Sequence, residues 1–211
     1  LTAAPIAFDG GRRSIAESEY NNLSFTYPAT APNYGTFHNV ENVPLATAKE
    51  GHLYIFRGGS LEYVWPKWNS GISSGSTTLA NSLTYPGDTY DYSDHGDAGG
   101  AYDPPGYVIR GFVNVNSSLD RALSIDDWVS VNDSASIGDG TVQTILQNHI
   151  DSRRGLRVLM LEEGGGAPKF HPDGRPYYEV KGFAVFRLVG YSVSDNWLLA
   201  EFINWDDSCG Q

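Results

Sequence analysis

The chain of 211 residues is almost free of cysteine, since Cys209 is the only one. No disulfide bond can form within the chain, which excludes a small domain held together by disulfides. The five histidines are scattered and do not stand at metal-ligand spacing, so they argue against a structural zinc site. We expect Cys209 to be a free thiol, and the alternative is that it couples two chains.

Basic residues are also scarce, since 14 lysines and arginines stand against 25 aspartates and glutamates, for a net charge of -11. Nucleic acids and anionic membrane surfaces attract lysine and arginine patches, so the charge argues against both partners. No apolar run approaches the ~20 residues that a membrane-spanning helix needs. An acidic surface is typical of extracellular proteins and of proteins that hold divalent cations, although it also keeps many proteins soluble.

The sequence has no initiator methionine and opens with the weakly apolar run LTAAPIAF. Such a start is what remains after a signal or leader segment is removed, although a trimmed chain would look the same. We therefore expect secretion, to the extracellular space or the cell surface. Pro5 cannot donate to a strand ladder, so we predict that residues 1–8 form an extended N-terminal arm.

Aromatic and turn-forming residues are plentiful: 13% of the residues are aromatic and 24 are glycine. This composition is typical of β-sandwiches and barrels with many turns. A glycine-rich break at residues 58–60 between two apolar runs predicts a hairpin. Further strands are predicted at residues 107–115, 156–161, 177–191 and 197–205.

One segment has a convincing helical period, with apolar residues at three- and four-residue spacing after Asp139 and Gly140. It predicts a short α-helix over about 141–151, whereas the serine- and glycine-rich range 69–82 predicts a loop or an edge. We therefore predict a mainly β fold, a β-sandwich or barrel-like structure with one short helix and long loops. Residues 9–211 are expected to form a single β-rich domain, and a division into two lobes near 103–106 stays open.

The longest predicted strand, 177–191, alternates between two sets of side chains. The second set mixes charged residues with Phe183, Val185 and Val189, and we predict that these three lie under another segment or another subunit rather than in open water. The first set is apolar: Tyr178, Val180, Ala184, Phe186 and Leu188.

An acidic loop carries five aspartates, and no lysine or arginine occurs between Lys67 and Arg110. Like charges repel unless water or a cation separates them. Calcium takes about six to eight oxygen ligands and suits a glycine-rich loop, although the spacing here is not that of an EF-hand. The alternatives are a solvated acidic turn and pairing with basic residues elsewhere. The predicted calcium ligands are Asp88, Asp91, Asp94, Asp97 and Asp103.

Catalytic patterns are weak in this chain. Residues 71–75 match G-x-S-x-G, but a nucleophile elbow needs a strand before it and a helix after it, and this stretch lies in a Ser/Gly/Thr run. Carboxylates stand beside tryptophan at 126–128 and 205–207, which would suit sugar binding or cleavage. The alternative is that the tryptophans belong to the core and the acids to turns. We therefore predict that the protein is not an enzyme.

The order of elements in the second half carries a family resemblance. The matching segments are IDDWV at 125–129, GDG at 138–140 before a helix that ends NHI at 148–150, the strand 156–161, YEVKGFAVFRLVGY at 178–191 and EFINW at 201–205. Over about residues 107–211 this order resembles the extracytoplasmic C-terminal region of secreted bacterial pilus-assembly proteins of the TadG type (TadE/TadG-like, Tad/Flp pilus). The typical member begins with a membrane-anchoring helix, which is not seen here. The resemblance implies a cell-surface, non-enzymatic role.

Together these features predict a non-enzymatic extracellular structural protein, a subunit of a surface filament or layer that assembles by self-association. The mechanism we expect is donation of residues 1–8 to the sheet edge of a neighbouring copy. A carbohydrate-binding or adhesion module, with surface glycans as partners, is the alternative. The residues predicted to take part in self-association are Leu1, Pro5, Ile6, Phe8, Phe183, Val185 and Val189.

Overall fold

The computed structural model describes ten elements in residues 4, 6–9, 48–58, 62–66, 75–83, 125–126, 128–132, 134–161, 169–170 and 176–206. Eight of these elements are strands and two are helices. In chain order they are β1 (Ala7–Asp9), β2 (Leu53–Arg57), β3 (Tyr63–Val64), α1 (Ser76–Leu83), β4 (Trp128–Ser130), α2 (Gly140–Asp151), β5 (Gly155–Leu161), β6 (Lys169–Phe170), β7 (Pro176–Ser192) and β8 (Trp197–Trp205).

Six strands form one mixed sheet in the order β2-β8-β7-β5-β1-β3. Neighbours are antiparallel except for β1 and β5, which run parallel. β4 and β6 pair with the first part of β7, off this path. The predicted mainly β fold is confirmed; the sheet does not close on itself, and the described residues contain two helices where one was predicted.

The sheet is strongly curled, and its concave face holds the main core. Phe8 of β1 stacks on Phe56 of β2 with ring centroids 3.6 Å apart, although β8, β7 and β5 lie between these strands in the sheet. Phe186 of β7 meets both rings edge-on, at 5.0 Å and 5.8 Å. Strand twist allows a sheet to curl in this way, and the aromatic contacts stabilise the curl.

β7 is the long strand that the sequence predicts, and its register is irregular with both neighbours, once with β5 and twice with β8. Its register with β5 shifts between Met160 and Leu161. Because such a shift moves the following side chains to the other face, Val180 joins a second apolar cluster, whereas Phe186 faces the main core. The strict alternation predicted for the strand is therefore wrong in its first part.

α2 confirms the predicted helix, and its start follows from one side chain. Asp139 is the N-cap, and its carboxylate accepts the backbone N–H groups of Thr141 at 2.9 Å and Val142 at 3.3 Å. The cap satisfies donors that have no intrahelical partner in the first turn. The buried side chains of α2 are Val142, Leu146, His149 and Ile150.

α1 corrects the prediction of a loop or edge at 69–82. Its sequence, STTLANSL, is rich in residues of low helix propensity, so the local signal is weak. Packing supplies what propensity does not, because Leu79 and Leu83 are buried in the main core and α1 lies against α2. At its start, the N–H of Gly75 donates to Asn132 Oδ1 at 2.6 Å, and Asn132 Nδ2 donates to the carbonyl of Gly75 at 2.9 Å.

β2 and β3 correct the predicted hairpin. The chain does reverse between them, where the N–H of Glu62 donates to the carbonyl of Arg57 at 3.0 Å. β2 then pairs with β8 and β3 pairs with β1, at opposite edges of the sheet. A glycine-rich break thus predicts the reversal but does not determine which strand each arm pairs with.

Candidate functional site

β1 occupies the interior of the sheet rather than its edge. It runs parallel to β5, with Ala7 opposite Leu159, and antiparallel to β3, with Ala7 opposite Val64. The backbone N–H of Leu159 donates to the carbonyl of Ile6 at 3.0 Å. The strand is therefore held by backbone pairing on both sides, by two segments that are far apart in sequence.

The side chains of β1 enter both apolar clusters. Ile6 and Phe8 are fully buried in the main core, and Phe8 is the ring that stacks on Phe56. Ala7 is fully buried on the opposite face, in the second cluster with Val64. Burying an aliphatic or aromatic side chain stabilises the folded state by about 1.5–3 kcal/mol. β1 is thus a structural part of the core, and we call the space that it fills between β5 and β3 the β1 seat.

The predicted N-terminal arm is described in part. Residues 6–9 pair within their own chain in this structure, so donation of this segment to a neighbouring copy stays a prediction. Ile6 and Phe8, two of the predicted self-association residues, fill the chain's own core. Leu1 and Pro5 lie outside the described residues.

The other predicted self-association residues lie on the second face of β7. Phe183 and Val189 are buried, as predicted for this face, and Val185 is half-buried. Phe183 belongs to the second cluster, so its burial is provided by the chain itself. A role of these three residues in contacts between copies stays a prediction.

Ion pairs tie together β5, β7 and β8, the three strands on one side of the β1 seat. Arg157 of β5 pairs with Asp206, directly after β8, and both side chains are largely buried. Arg187 of β7 donates through Nη1 to Glu201 of β8 at 2.8 Å. The carbonyl of Arg157 also accepts the backbone N–H of Ala4 at 2.7 Å, which extends the pairing of the first strand. Because each of these carboxylates faces a guanidinium, the arrangement suits a structural role better than acid–base chemistry.

Lys181 forms a second charged group, near β4. Its Nζ lies 2.9 Å from Glu179 Oε1 and 3.0 Å from Asp126 Oδ1. The hydrogen bond to Glu179, and to a lesser extent the one to Asp126, raises the pKa of Lys181, so the ammonium group stays charged. Asp126 is exposed in a turn with a φ of 70°. Asp126, the first of the two acids before Trp128, is therefore a turn residue, in keeping with the alternative left open for this pattern, and Asp127 lies outside the described residues.

Two tryptophans mark the ends of β8. The guanidinium carbon of Arg57 lies 4.6 Å from the ring centroid of Trp197, a cation–π contact. Trp205 packs on Phe202 with ring centroids 5.5 Å apart and is 37% exposed. The neighbouring Asp206 is engaged by Arg157. Among the tryptophan side chains that the structure describes, the exposed indole of Trp205 is the one that supports the alternative of glycan binding.

A polar corner positions β3, the outer neighbour of β1. The hydroxyl of Tyr63 donates to Asn196 Oδ1 at 2.6 Å, and the N–H of Gly58 donates to the carbonyl of Asn196 at 2.8 Å. Burial raises the pKa of Tyr63, so the phenol keeps the proton that it donates. A Cβ on Gly58 would collide with the Asn196 amide, which explains a glycine here. Sequence reasoning took this glycine only as a turn signal and missed the corner.

Several predicted features lie outside the described residues. Among the described residues, no group of three or more His, Cys, Asp or Glu side chains is placed to hold a metal ion. The calcium site stays a prediction because its ligands are not among those residues. The features concerned are Asp88, Asp91, Asp94, Asp97, Asp103, the strand at 107–115, the lobe boundary at 103–106, Ser73 of G-x-S-x-G and Cys209.

Comparison with known proteins leaves the family open. No family model, no curated protein and no solved structure matches this chain. The resemblance to TadG-type pilus-assembly proteins therefore stays a prediction. Within the described part of the chain, no helix is long and apolar enough to cross a membrane.

Proposed function

We propose that the protein is a non-enzymatic structural subunit of a filament or layer at the cell surface, and that neighbouring copies associate by exchanging β1. The observation that carries the proposal is the β1 seat. It holds a three-residue strand between β5 and β3, and residues 10–47 separate that strand from the next described part of the chain. A short strand on a long connection is suited to exchange between identical copies.

The connection is long enough for this exchange. An extended chain spans roughly 3.3–3.6 Å per residue, so the contour length of residues 10–47 is on the order of 100 Å. A folded domain of this size has a radius of gyration of about 17 Å. The number of residues between β1 and β2 therefore does not prevent β1 of one copy from reaching the seat of an adjacent copy.

Exchange conserves the contacts of β1. In a neighbouring copy the strand meets the same Leu159, Val64 and Phe56 that it meets in its own, so the two arrangements differ mainly in the entropy of association. Protein concentration therefore sets the balance between them. An empty seat would expose Phe56 and Phe186 to water. Because this exposure is unfavourable, we expect a β1 from one copy or another to fill every seat. Head-to-tail filling of successive seats generates rings or filaments.

Cross-linking distinguishes exchange from closure within one chain. Ala7 and Val64 are opposite each other in an antiparallel pair, where Cα atoms lie about 4.5–5.5 Å apart, a distance that a disulfide can span. Ala7→Cys and Val64→Cys are made separately in a Cys209→Ser background. The two variants are unfolded together, refolded at increasing concentration, oxidised and separated on a non-reducing gel. We expect a covalent heterodimer that increases with concentration.

Controls decide how the gel is interpreted. Thr144→Cys, an exposed position on α2, replaces Val64→Cys to measure coupling by random collision. The double variant with both Ala7→Cys and Val64→Cys should form disulfide-linked multimers if strands are exchanged. Internally closed monomers at every concentration, together with a monomeric mass by light scattering, would refute the exchange.

The cell-surface location needs its own test, because it rests on the acidic composition and on the resemblance of residues 107–211 to TadG-type proteins. Intact source cells are treated with a protease that cannot enter them, and the protein is followed by immunoblot. Loss of the protein from intact cells supports a surface location. Protection until the cells are lysed would contradict it.

A further inference from the structure

His149 is a buried histidine at the contact between the two helices. It lies in the last turn of α2 and is 3% exposed. Its Nε2 lies 2.6 Å from the carbonyl oxygen of Leu83, the last residue of α1. A carbonyl oxygen only accepts, so Nε2 carries the proton of the neutral imidazole and Nδ1 carries the lone pair. Nδ1 is buried and has no hydrogen-bond partner among the described residues.

The surroundings of His149 disfavour a charged imidazole. Burial lowers the pKa of His149 most, the bond to the Leu83 carbonyl acts in the opposite direction, and the positive charge of Arg154 lowers it again. Close to His149 on its own segment, Asp151 and Arg153 are exposed to water, which screens their charges.

The elements packed on α2 do not offset this preference. α1, with the sequence STTLANSL, carries no ionisable side chain. β7 contributes Phe186 and Leu188 to the core that α2 shares. The charged residue between them, Arg187, is paired with Glu201 on the opposite face of the sheet. Among the described side chains on α1 and in the shared core of β7, none therefore offers a negative charge to the imidazole.

We propose that the contact between His149 and Leu83 is an acid-sensitive latch, which holds α1 on α2 while the imidazole is neutral and releases α1 when it is protonated. Protonation adds an N–H at Nδ1 that has no acceptor among the described residues, and it places a positive charge on a buried ring. Both costs are relieved when the end of α1 separates from α2 and water reaches the ring. The latch does not depend on the exchange of β1.

The direction of the pH effect follows from proton linkage. The pKa of His149 in the closed state lies below the value of about 6.5 for an exposed histidine. The latch therefore stabilises the closed state fully above that value, and its contribution is lost as the pH falls toward the pKa of the closed state. At pH 5.0 the opening equilibrium rises by at most about thirty-fold relative to pH 7.5, a limit set by the exposed histidine.

Hydrogen exchange of the wild-type chain at pH 7.5 and pH 5.0, corrected for intrinsic rates, tests the latch. We expect the protection of the α1 amides to fall several-fold, and by no more than about thirty-fold, while the amides of β5 and β7 keep theirs. His149→Gln keeps an amide donor at a similar reach and does not titrate, so its α1 protection should be independent of pH. His52→Gln, at another described histidine, should retain the wild-type pH dependence.

Three results would overturn the latch. One is equal α1 protection at the two pH values in the wild type. Another is the same pH dependence in His149→Gln as in the wild type. The third is an equal loss of protection in β5 and β7, which would mean that the whole fold responds to acid. If His149→Gln does not fold, an NMR titration of the wild-type imidazole decides: a pKa below that of an exposed histidine supports the latch, and a pKa at or above it refutes it.

Discussion

Replacing Phe8 with alanine tests most directly whether β1 belongs to the core. Phe8 is fully buried, stacks on Phe56 at 3.6 Å and meets Phe186 edge-on at 5.0 Å. Truncating a buried phenylalanine costs about 3–5 kcal/mol, because the ring loses its burial and leaves a cavity. Typical domains are stable by only about 5–15 kcal/mol. We therefore expect Phe8→Ala to lower the free energy of unfolding by about 3–5 kcal/mol.

Urea denaturation followed by tryptophan fluorescence measures this loss. The midpoint should fall at an unchanged slope, since the slope follows the surface exposed on unfolding. A double-mutant cycle with Phe56→Ala isolates the ring stack, which should contribute about 0.5–1.5 kcal/mol of coupling. Val193→Ala, at a side chain that is 44% exposed, is the control and should change the stability by less than about 0.5 kcal/mol.

A decrease in the free energy of unfolding of less than about 1 kcal/mol for Phe8→Ala would refute this reasoning, because removal of a buried phenyl ring costs more than that. Additive effects of Phe8→Ala and Phe56→Ala would show that the two rings do not interact. The wild-type measurement is repeated at two protein concentrations. A midpoint that rises with concentration supports the exchange of β1, because association then contributes to stability.

Three further predictions concern other parts of the fold. Asn132→Ala should lower the free energy of unfolding by about 2 kcal/mol in urea, because the N–H of Gly75 loses the Asn132 acceptor and the Gly75 carbonyl keeps only the N–H of Leu79; an unchanged midpoint would contradict this. Tyr63→Phe removes the hydroxyl that donates to Asn196 and should cost about 1 kcal/mol in a thermal melt; equal stability would show that the corner contributes nothing. A melt with and without EDTA tests calcium at 88–103, since chelation lowers the midpoint if the folded state binds the ion, and the absence of a shift would dismiss the site.

The strands β5, β7 and β8 could be predicted one by one because each carries its own signal, whereas their pairing into a sheet was not predicted. Each is a run of apolar and aromatic residues bounded by turn residues. α2 is predictable for a similar reason, since Asp139 supplies a cap directly before the helical period. Local signals of this kind survive folding when tertiary packing does not oppose them.

Other parts could not be predicted because their structure depends on distant contacts. α1 is a poor helix former, and its conformation depends on the burial of Leu79 and Leu83 and on the clasp between Gly75 and Asn132. The turn after Arg57 carries no information about the pairing of β2 with β8. Helix propensity and turn residues carry information about a few neighbouring positions only. The conformation of α1 and the pairing of β2 depend instead on contacts with residues far away in the sequence.

The candidate site was predictable only in its residue types. Ile6 and Phe8 stand out as apolar residues in the opening segment, but three residues are too few to reveal a partner strand. The stack on Phe56 arises from the curl of the sheet, which joins strands that are not neighbours. The unpartnered Nδ1 of His149 is likewise visible only when α1 and α2 are placed together.

The parallel pairing of β1 with β5 also has a consequence for the time course of folding. Ala7 pairs with Leu159, so the ladder joins segments at a very large sequence separation, and pairings of high contact order form slowly. During synthesis the first strand emerges long before its seat exists. Until the seat has formed, β1 of a nascent copy has no place to pair. Once β5 and β3 have formed, either the chain's own β1 or that of a neighbouring copy fills the seat, and the relative rates of the two steps decide which one does. A refolding phase that accelerates with protein concentration would indicate that β1 of a neighbouring copy fills the seat.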